Sequence, residues 1–169
     1  MGDAITVSPA VRAALDAGDP IVALESALIT HGFAYPDNLE ITRRMAAAIR
    51  ELGALPAVIG VWDGVPTVGL AGDQLRTLAA DGTATKISVR DLGLTRLRGR
   101  NGGTTVAATA RLAHRAGIRV FATGGIGGVH RGHPEDVSAD LPVLAQTPIV
   151  VVCAGAKSIL DLPRTLEFL

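Results

Sequence analysis

Two lysines, a glutamate, an aspartate and a glycine-rich segment are the residues whose type and setting suggest chemistry. Lys86 lies within Thr85–Val89, and Lys157 follows Ile149–Cys153 and an Ala-Gly-Ala turn, each in a mostly apolar context. A lysine ammonium is ordinarily solvated and inert. Partial burial beside a short strand lowers its pKa and frees an amine for imine chemistry. Lys86 has the further alternative of pairing with phosphate, together with Ser88 and Arg90. Glu25 follows four apolar residues, Ile21–Leu24. A carboxylate at the edge of a low-dielectric pocket can act as acid or base, or it can merely cap neighbouring N–H groups. The segment Ala122–Arg131 holds four glycines, and glycines let backbone N–H groups approach a small anion closely. Thr123 adds a hydroxyl and Arg131 a fork of donors. The segment is neither a dinucleotide fingerprint nor a P-loop, because no clear helix follows its glycines and Gly-Lys-Ser/Thr is absent. A sugar-phosphate cradle involving Thr123, Gly124 and Gly125 is one reading, and a tight turn with no ligand is the other.

Asp140, in Ser138-Ala-Asp-Leu-Pro142, is a candidate for a divalent cation. A metal held by one protein oxygen and several waters suits magnesium or manganese better than zinc. His130-x-x-His133 lacks the longer helical signature and thiol cluster of a zinc site. Cys153 reads as strand core, and a single Cys excludes a disulfide framework within the chain.

These residues need a scaffold, and the pattern supplies one. Ser8-Pro9 opens a helix that Gly18 can close. Ile21–Leu24, Pro56–Val61, Thr85–Val89, Ile118–Ala122 and Ile149–Cys153 read as strands, and Val65–Leu70 as a hairpin return after Trp62-Asp63-Gly64. Residues 26–36 read as a loop. Asp37 and Glu40 have capping-box spacing before a helical stripe of Ile41, Met45, Ala48, Ile49 and Leu52. Asp73 begins a short helix. Asn101–Ala116 reads as helix starting near Thr104, Thr123–Glu135 as a long loop, and Ser138–Ala145 is ambiguous. Ser158 is expected to start a helix that Pro163 interrupts. Strands alternating with helices predict an α/β fold, three-layer α/β/α, with a mixed, largely parallel sheet. Glu25, Lys86, Thr123 and Lys157 all fall at or beyond strand ends, where open α/β sheets gather ligands.

With 169 residues, residues 1–169 are expected to form a single α/β domain. The last periodic segment looks unfinished, so a sheet incomplete at the C-terminus is expected. Lys+Arg and Asp+Glu are 16 each, and the formal net charge of +0 argues against a nucleic-acid polymer or an anionic membrane as partner. No basic segment followed by an apolar one opens the chain, and no apolar run reaches the roughly 18 residues of a spanning helix. A cytoplasmic location is expected. Gly is 20 residues and aromatics only 3%, which fits close-packed layers with backbone-lined loops.

Six stretches together resemble the pseudouridine-5'-phosphate glycosidase family. They are Val22–Ser26 with Ile29–Gly32, Thr85–Asp91, Asn101–Ala107, Val120–Gly132, Ser138–Leu141 and Val151–Asp161. The resemblance implies cleavage of the C–C glycosidic bond of pseudouridine 5'-phosphate to uracil and ribose 5-phosphate, by a trimeric α/β/α enzyme using a divalent cation, usually manganese, and no organic cofactor. It matches Lys157 to the lysine that forms an imine with C1' of the opened ribose, Glu25 to the proton-transfer carboxylate, and His130 to a loop histidine near the catalytic groups. It matches Lys86, Ser88, Arg90 and Thr123 to the surroundings of the sugar phosphate, and Asp140 to the metal-associated aspartate. The chemistry is coherent. Uracil C5 is a poor leaving group, two carboxylates suited to an acetal would not suffice, and an amine that stores C1' as an iminium supplies the missing electron sink. Complete members run to roughly 300 residues, so the chain corresponds to their N-terminal part. A catalytically inactive sugar-phosphate-binding remnant is the alternative. Asp161-Leu-Pro-Arg-Thr165 departs from the family's usual Gly-containing turn.

Overall fold

The computed structural model describes residues 5–169. Strands β1 (Thr6–Val7), β2 (Ile21–Leu24), β3 (Leu55–Trp62), β4 (Val65–Val68), β5 (Thr85–Ile87), β6 (Gly102–Thr104), β7 (Val120–Ala122) and β10 (Val150–Val152) form one eight-stranded sheet. Strands β8 (Val129–His130) and β9 (His133–Val137) form a separate hairpin. The helices are α1 (Pro9–Ala17), α2 (Ala27–His31), α3 (Asp37–Glu51), α4 (Gly72–Ala80), α5 (Thr95–Arg98), α6 (Val106–Ala116), α7 (Asp140–Gln146) and α8 (Leu162–Phe168), with a 3-10 turn at Val89–Leu94.

The main order is β1-β4-β3-β2-β7-β10, with β6 joining β3 and β5 joining β6. The β1–β4, β2–β3, β2–β7, β7–β10 and β5–β6 pairs are parallel, while β3 is antiparallel to β4 and β6. The sheet is therefore mixed and mostly parallel, as expected. Residue alternation sorts the two faces. Ile21, Ala23, Ala57 and Ile59 pack with Val11, Ala110, Leu112 and Leu141 of α1, α6 and α7. Leu24 and Val58 pack on the other face with Ile29, Leu39, Ala46 and Leu78 of α2, α3 and α4. Three layers result.

Strand order reverses at β2. The chain moves from β2 to β3 on one side and later places β7 and β10 on the other. Leu24, Ala122 and Val152 align across the three parallel strands. Glu25, Thr123 and Cys153 thus leave adjacent strand ends at a topological switch point, where an open α/β sheet forms its ligand crevice.

Local chemistry explains where the pattern and the structure agree. The Ser8 Oγ accepts from the Val11 N–H at 3.3 Å, Pro9 takes the first helical position, and Gly18 ends α1 at φ 74°.

The differences are equally physical. Residues 27–31 of the expected 26–36 loop form α2, whose first turn is held by the Ser26 carbonyl. No capping box forms at Asp37: Pro36 precedes the helix, and Asn38 is buried instead, its amide donating to Ile29 O at 2.7 Å and Ala79 O at 2.9 Å. Asn38 and Thr42 take places on the buried face of α3, so Ala48 and Leu52 are exposed. Gly102–Thr104 is strand rather than helix. A Cβ at Gly103 would stand 2.6 Å from Ser26 O, so only glycine permits the approach. Helix α6 then begins behind the Thr105 cap. Strand β5 stops at Ile87, and the expected 123–135 loop contains the β8–β9 hairpin. Residues 138–145, ambiguous in sequence, hold most of α7. No helix starts at Ser158. Asp161 caps α8 through the Arg164 N–H at 3.1 Å, and Pro163 lies in the first turn, where its missing N–H costs nothing.

Candidate active site

Beyond the strand ends lies a cleft of about 890 Å³, lined among others by Glu25, Lys86, Ser88, Arg90, Gly124, Gly125, His130, Asp140 and Lys157. These are the candidates named from sequence, drawn from segments spread from residue 25 to residue 157. Thr123 is the exception: it is buried behind the lining, and its hydroxyl donates a short hydrogen bond to Glu25 Oε1.

Glu25 sits at the end of β2 with its carboxyl pKa raised. Burial is the main cause, and the charge of Asp140 adds to it; the Thr123 hydrogen bond and the charges of Lys157 and Lys86 oppose it. A carboxyl so placed retains its proton to higher pH than an exposed one and can exchange it with a bound molecule.

The glycine-rich loop proves to be a clasp. The N–H of Ile126 donates to Gly155 O at 3.0 Å, and the N–H of Lys157 donates to Ile126 O at 3.1 Å. The parallel β7–β10 pairing thus continues past both strands and fixes the backbone of Lys157. The Gly127 N–H donates to Asp140 Oδ2 at 2.8 Å, and the Ala107 N–H, in the first turn of α6, donates to Asp140 Oδ1 at 2.8 Å. A Cβ on Gly127 would lie 2.6 Å from Ser138 Cβ, which explains the glycine. Arg131, expected as an anion fork, instead donates from Nε to Leu160 O at 2.8 Å and from Nη2 to Ser158 O at 3.0 Å. With Thr123 on Glu25 and these loop N–H groups on protein acceptors, the cationic side chains left lining this part of the cleft are Lys86 and Arg90, with Ser88 between them. These lie at the end of β5 and in the 3-10 turn, beside Thr105 and Val106 at the N-terminus of α6. The Ser88 N–H donates to Asp91 Oδ2 at 2.9 Å, which shapes that turn.

Lys157 lines the cleft but is exposed, and so is Lys86; the partial burial expected of both is absent. His130 lies with its Nδ1 3.2 Å from Asp136 Oδ2, and Asp136 also lines the cleft. His133 faces Glu135 at 3.4 Å, so the two histidines rest on different carboxylates. Among the described residues no three His, Cys, Asp or Glu side chains gather as a metal cage. Asp140 is 7% exposed, and each of its oxygens already accepts a backbone N–H. That donor set fits only a hard cation retaining most of its water. His31 and Asp136 are cleft residues to which the sequence reading gave no role. The signal for His31 lay in its loop position just after Glu25-Ser26, but no spacing rule singled it out.

Acid, amine and basic donors meeting at the switch point of a parallel sheet define an α/β protein built around a small-ligand cleft. The family model described as indigoidine synthase A like protein matches residues 10–169, and the chain belongs to that family. It is 61% identical to a pseudouridine-5'-phosphate glycosidase of Saccharopolyspora erythraea, over 95% of this chain and 54% of that protein. It is 56% identical to one of Roseiflexus sp., over 99% and 56%. The chain spans about half the length of the curated relatives it matches. Among solved structures, an indigoidine synthase A-like protein of Thermotoga maritima superposes with a TM-score of 0.88 at 35% identity, over 99% of this chain and 55% of the other. The prealnumycin C-glycosynthase AlnA, solved in complex with ribulose 5-phosphate, gives 0.89 at 42% identity, with the same coverage.

Proposed function

We propose that the chain carries the sugar-phosphate half of a pseudouridine-5'-phosphate glycosidase site, cleaving the C–C bond of its substrate to uracil and ribose 5-phosphate in a reversible reaction. The observation that carries this reading is the convergence of Glu25, Lys157 and the Lys86–Arg90 wall on one cleft, in a chain with high identity to proteins of that name. The sugar phosphate of AlnA supports the ligand class.

Lys86, Ser88 and Arg90 hold the phosphate, Arg90 in bidentate fashion, and the α6 N-terminus adds its dipole. The Lys157 amine bonds to C1' as the C1'–O4' bond breaks and O4' takes a proton. The nitrogen then loses a proton, and its freed lone pair forms an iminium with C1' as the C1'–C5 bond breaks, the electron pair of that bond remaining on C5, where a proton is added. Water releases ribose 5-phosphate and restores the amine. Glu25, whose proton persists to higher pH, serves these transfers, and Thr123 holds it in place. His130, paired with Asp136, stands beside them.

A divalent cation, manganese by resemblance, fits the acidic side of the cleft, held by Asp140 and Asp136 largely through water. Its charge would offset their repulsion of Glu25 and the substrate. Homotrimeric assembly and a cytoplasmic location belong to the same reading. The exposed Leu97 and Leu166 offer apolar surface for assembly, and no described helix is long and apolar enough to cross a membrane.

Sugar-phosphate binding without cleavage is the second reading, favoured by the exposure of Lys157. Incubation with pseudouridine 5'-phosphate, reading free uracil by chromatography, separates the two. Uracil release that disappears in Lys157→Ala supports the glycosidase, and ribose 5-phosphate binding without any uracil supports the second reading.

A further inference from the structure

His31 closes α2 on the cleft wall that also carries Lys86, Ser88 and Arg90. Its Nδ1 is 2.7 Å from Thr30 Oγ1, and that hydroxyl is 3.4 Å from Ser26 O. The relay accommodates a charged ring: Nδ1–H donates to Thr30, Thr30 donates to Ser26 O, and Nε2–H is left for a ligand. Among the described residues Lys86 and Arg90 make no hydrogen bond or ion pair, so their charged ends are left open on the cleft.

We propose that His31 is a further phosphate-facing group beside Lys86, Ser88 and Arg90, neutral in the free protein and protonated when a sugar phosphate seats on Lys86 and Arg90. The inference rests on the phosphate reading of that wall. Burial first, and the Lys86 charge second, hold the free imidazole pKa below the ordinary histidine value. Helix α2 packs against β5, β6, α3 and α4. The charged side chains those elements carry are Lys86 on β5; Asp37, Glu40, Arg43, Arg44, Arg50 and Glu51 on α3; and Asp73 and Arg76 on α4, with none on β6. Arg90 shares this wall, and the cleft is also lined by Glu25, Asp136, Asp140, Lys157 and His130. Lys86 is the charge that bears on the ring. A phosphate dianion placed against Lys86 reverses the sign of that field, so the proton affinity of the imidazole rises and binding draws a proton from solvent.

The test is nitrogen-15 NMR of the imidazoles at about pH 7.5, where a sugar phosphate is dianionic because its second pKa is near 6. The His31 signal is assigned by its loss in His31→Gln. Ribose 5-phosphate should move that signal from the neutral to the imidazolium pattern, and ribose should not. Calorimetry in two buffers of different ionisation enthalpy should show proton uptake, absent in His31→Gln, which should also bind several-fold more weakly. A His31 ring that stays neutral at saturation, with binding still lost in Lys86→Ala, would overturn the role of His31 and leave the phosphate wall standing. Binding indifferent to Lys86→Ala, or no binding, would remove the phosphate wall and this inference with it.

Discussion

Along one wall of the cleft, Lys86 and Arg90 extend from a short strand and a 3-10 turn with no hydrogen-bond or ion-pair partner among the described residues. Along the opposite wall, Thr123 is bonded to Glu25, Asp140 to Gly127 and Ala107, and the 123–128 loop to the 154–157 segment. The first wall leaves charge open, and open charge is what an anionic ligand neutralises. The second is satisfied internally, which fixes where Glu25 and Lys157 stand before any ligand arrives. Substitutions in the two walls should therefore separate: the clasped wall should lose stability and the open wall affinity.

The sharpest separation should come from Asp140→Ala, which strands two backbone N–H groups. A loss of about 3 kcal/mol, lowering the thermal midpoint by roughly 10 °C, is expected by calorimetry, with Asp140→Asn losing about half as much. Gly127→Ala should follow at about 2 kcal/mol, because its Cβ would collide with Ser138 and push the N–H off Asp140. A loss below about 0.5 kcal/mol in either alanine variant would mean that the clasp is not holding the wall. Arg90→Ala should weaken ribose 5-phosphate binding about tenfold, or about 1.4 kcal/mol, with the midpoint nearly unmoved. A large fall in midpoint would erase the distinction between the walls.

The smallest effect is electrostatic. The folded pKa of Glu25 is raised, so its contribution to stability is full below the unfolded pKa and is lost as pH rises through the folded one. Glu25→Gln, which cannot ionise, should therefore have a higher thermal midpoint relative to the unsubstituted chain near pH 8 than near pH 4. A gain confined to low pH would reverse the sign and contradict a carboxyl raised by burial.

The sheet and most of its helices were legible because their signals are local: Ser8-Pro9, the apolar run Ile21–Leu24, and the stop at Gly18. The site was legible as a set of strand-end residues, since parallel strands share one ligand-facing edge. The clasp was not. Nothing in a run of glycines says whether its N–H groups face an anion or the Asp140 carboxylate thirteen residues away. Arg131 was misread for the same reason, because its acceptors at Ser158 and Leu160 are distant in sequence. The buried hydroxyls of Ser26 and Thr104 also escaped notice. Both donate to Ile59 O, at 2.6 and 2.7 Å, where β3 has left its register with β2. That need arises only once the sheet exists.

Glycosidase chemistry in this cleft requires Lys157 to be the group that bonds to the sugar. Borohydride reduction of the folded chain with ribose 5-phosphate, followed by intact mass and peptide mapping, tests it directly. One reduced sugar phosphate per chain, mapped to Lys157, absent in Lys157→Ala and diminished in Arg90→Ala, is the expected result. An adduct on Lys86 that persists unchanged in Lys157→Ala, or no adduct in a folded chain saturated with ribose 5-phosphate, would contradict it.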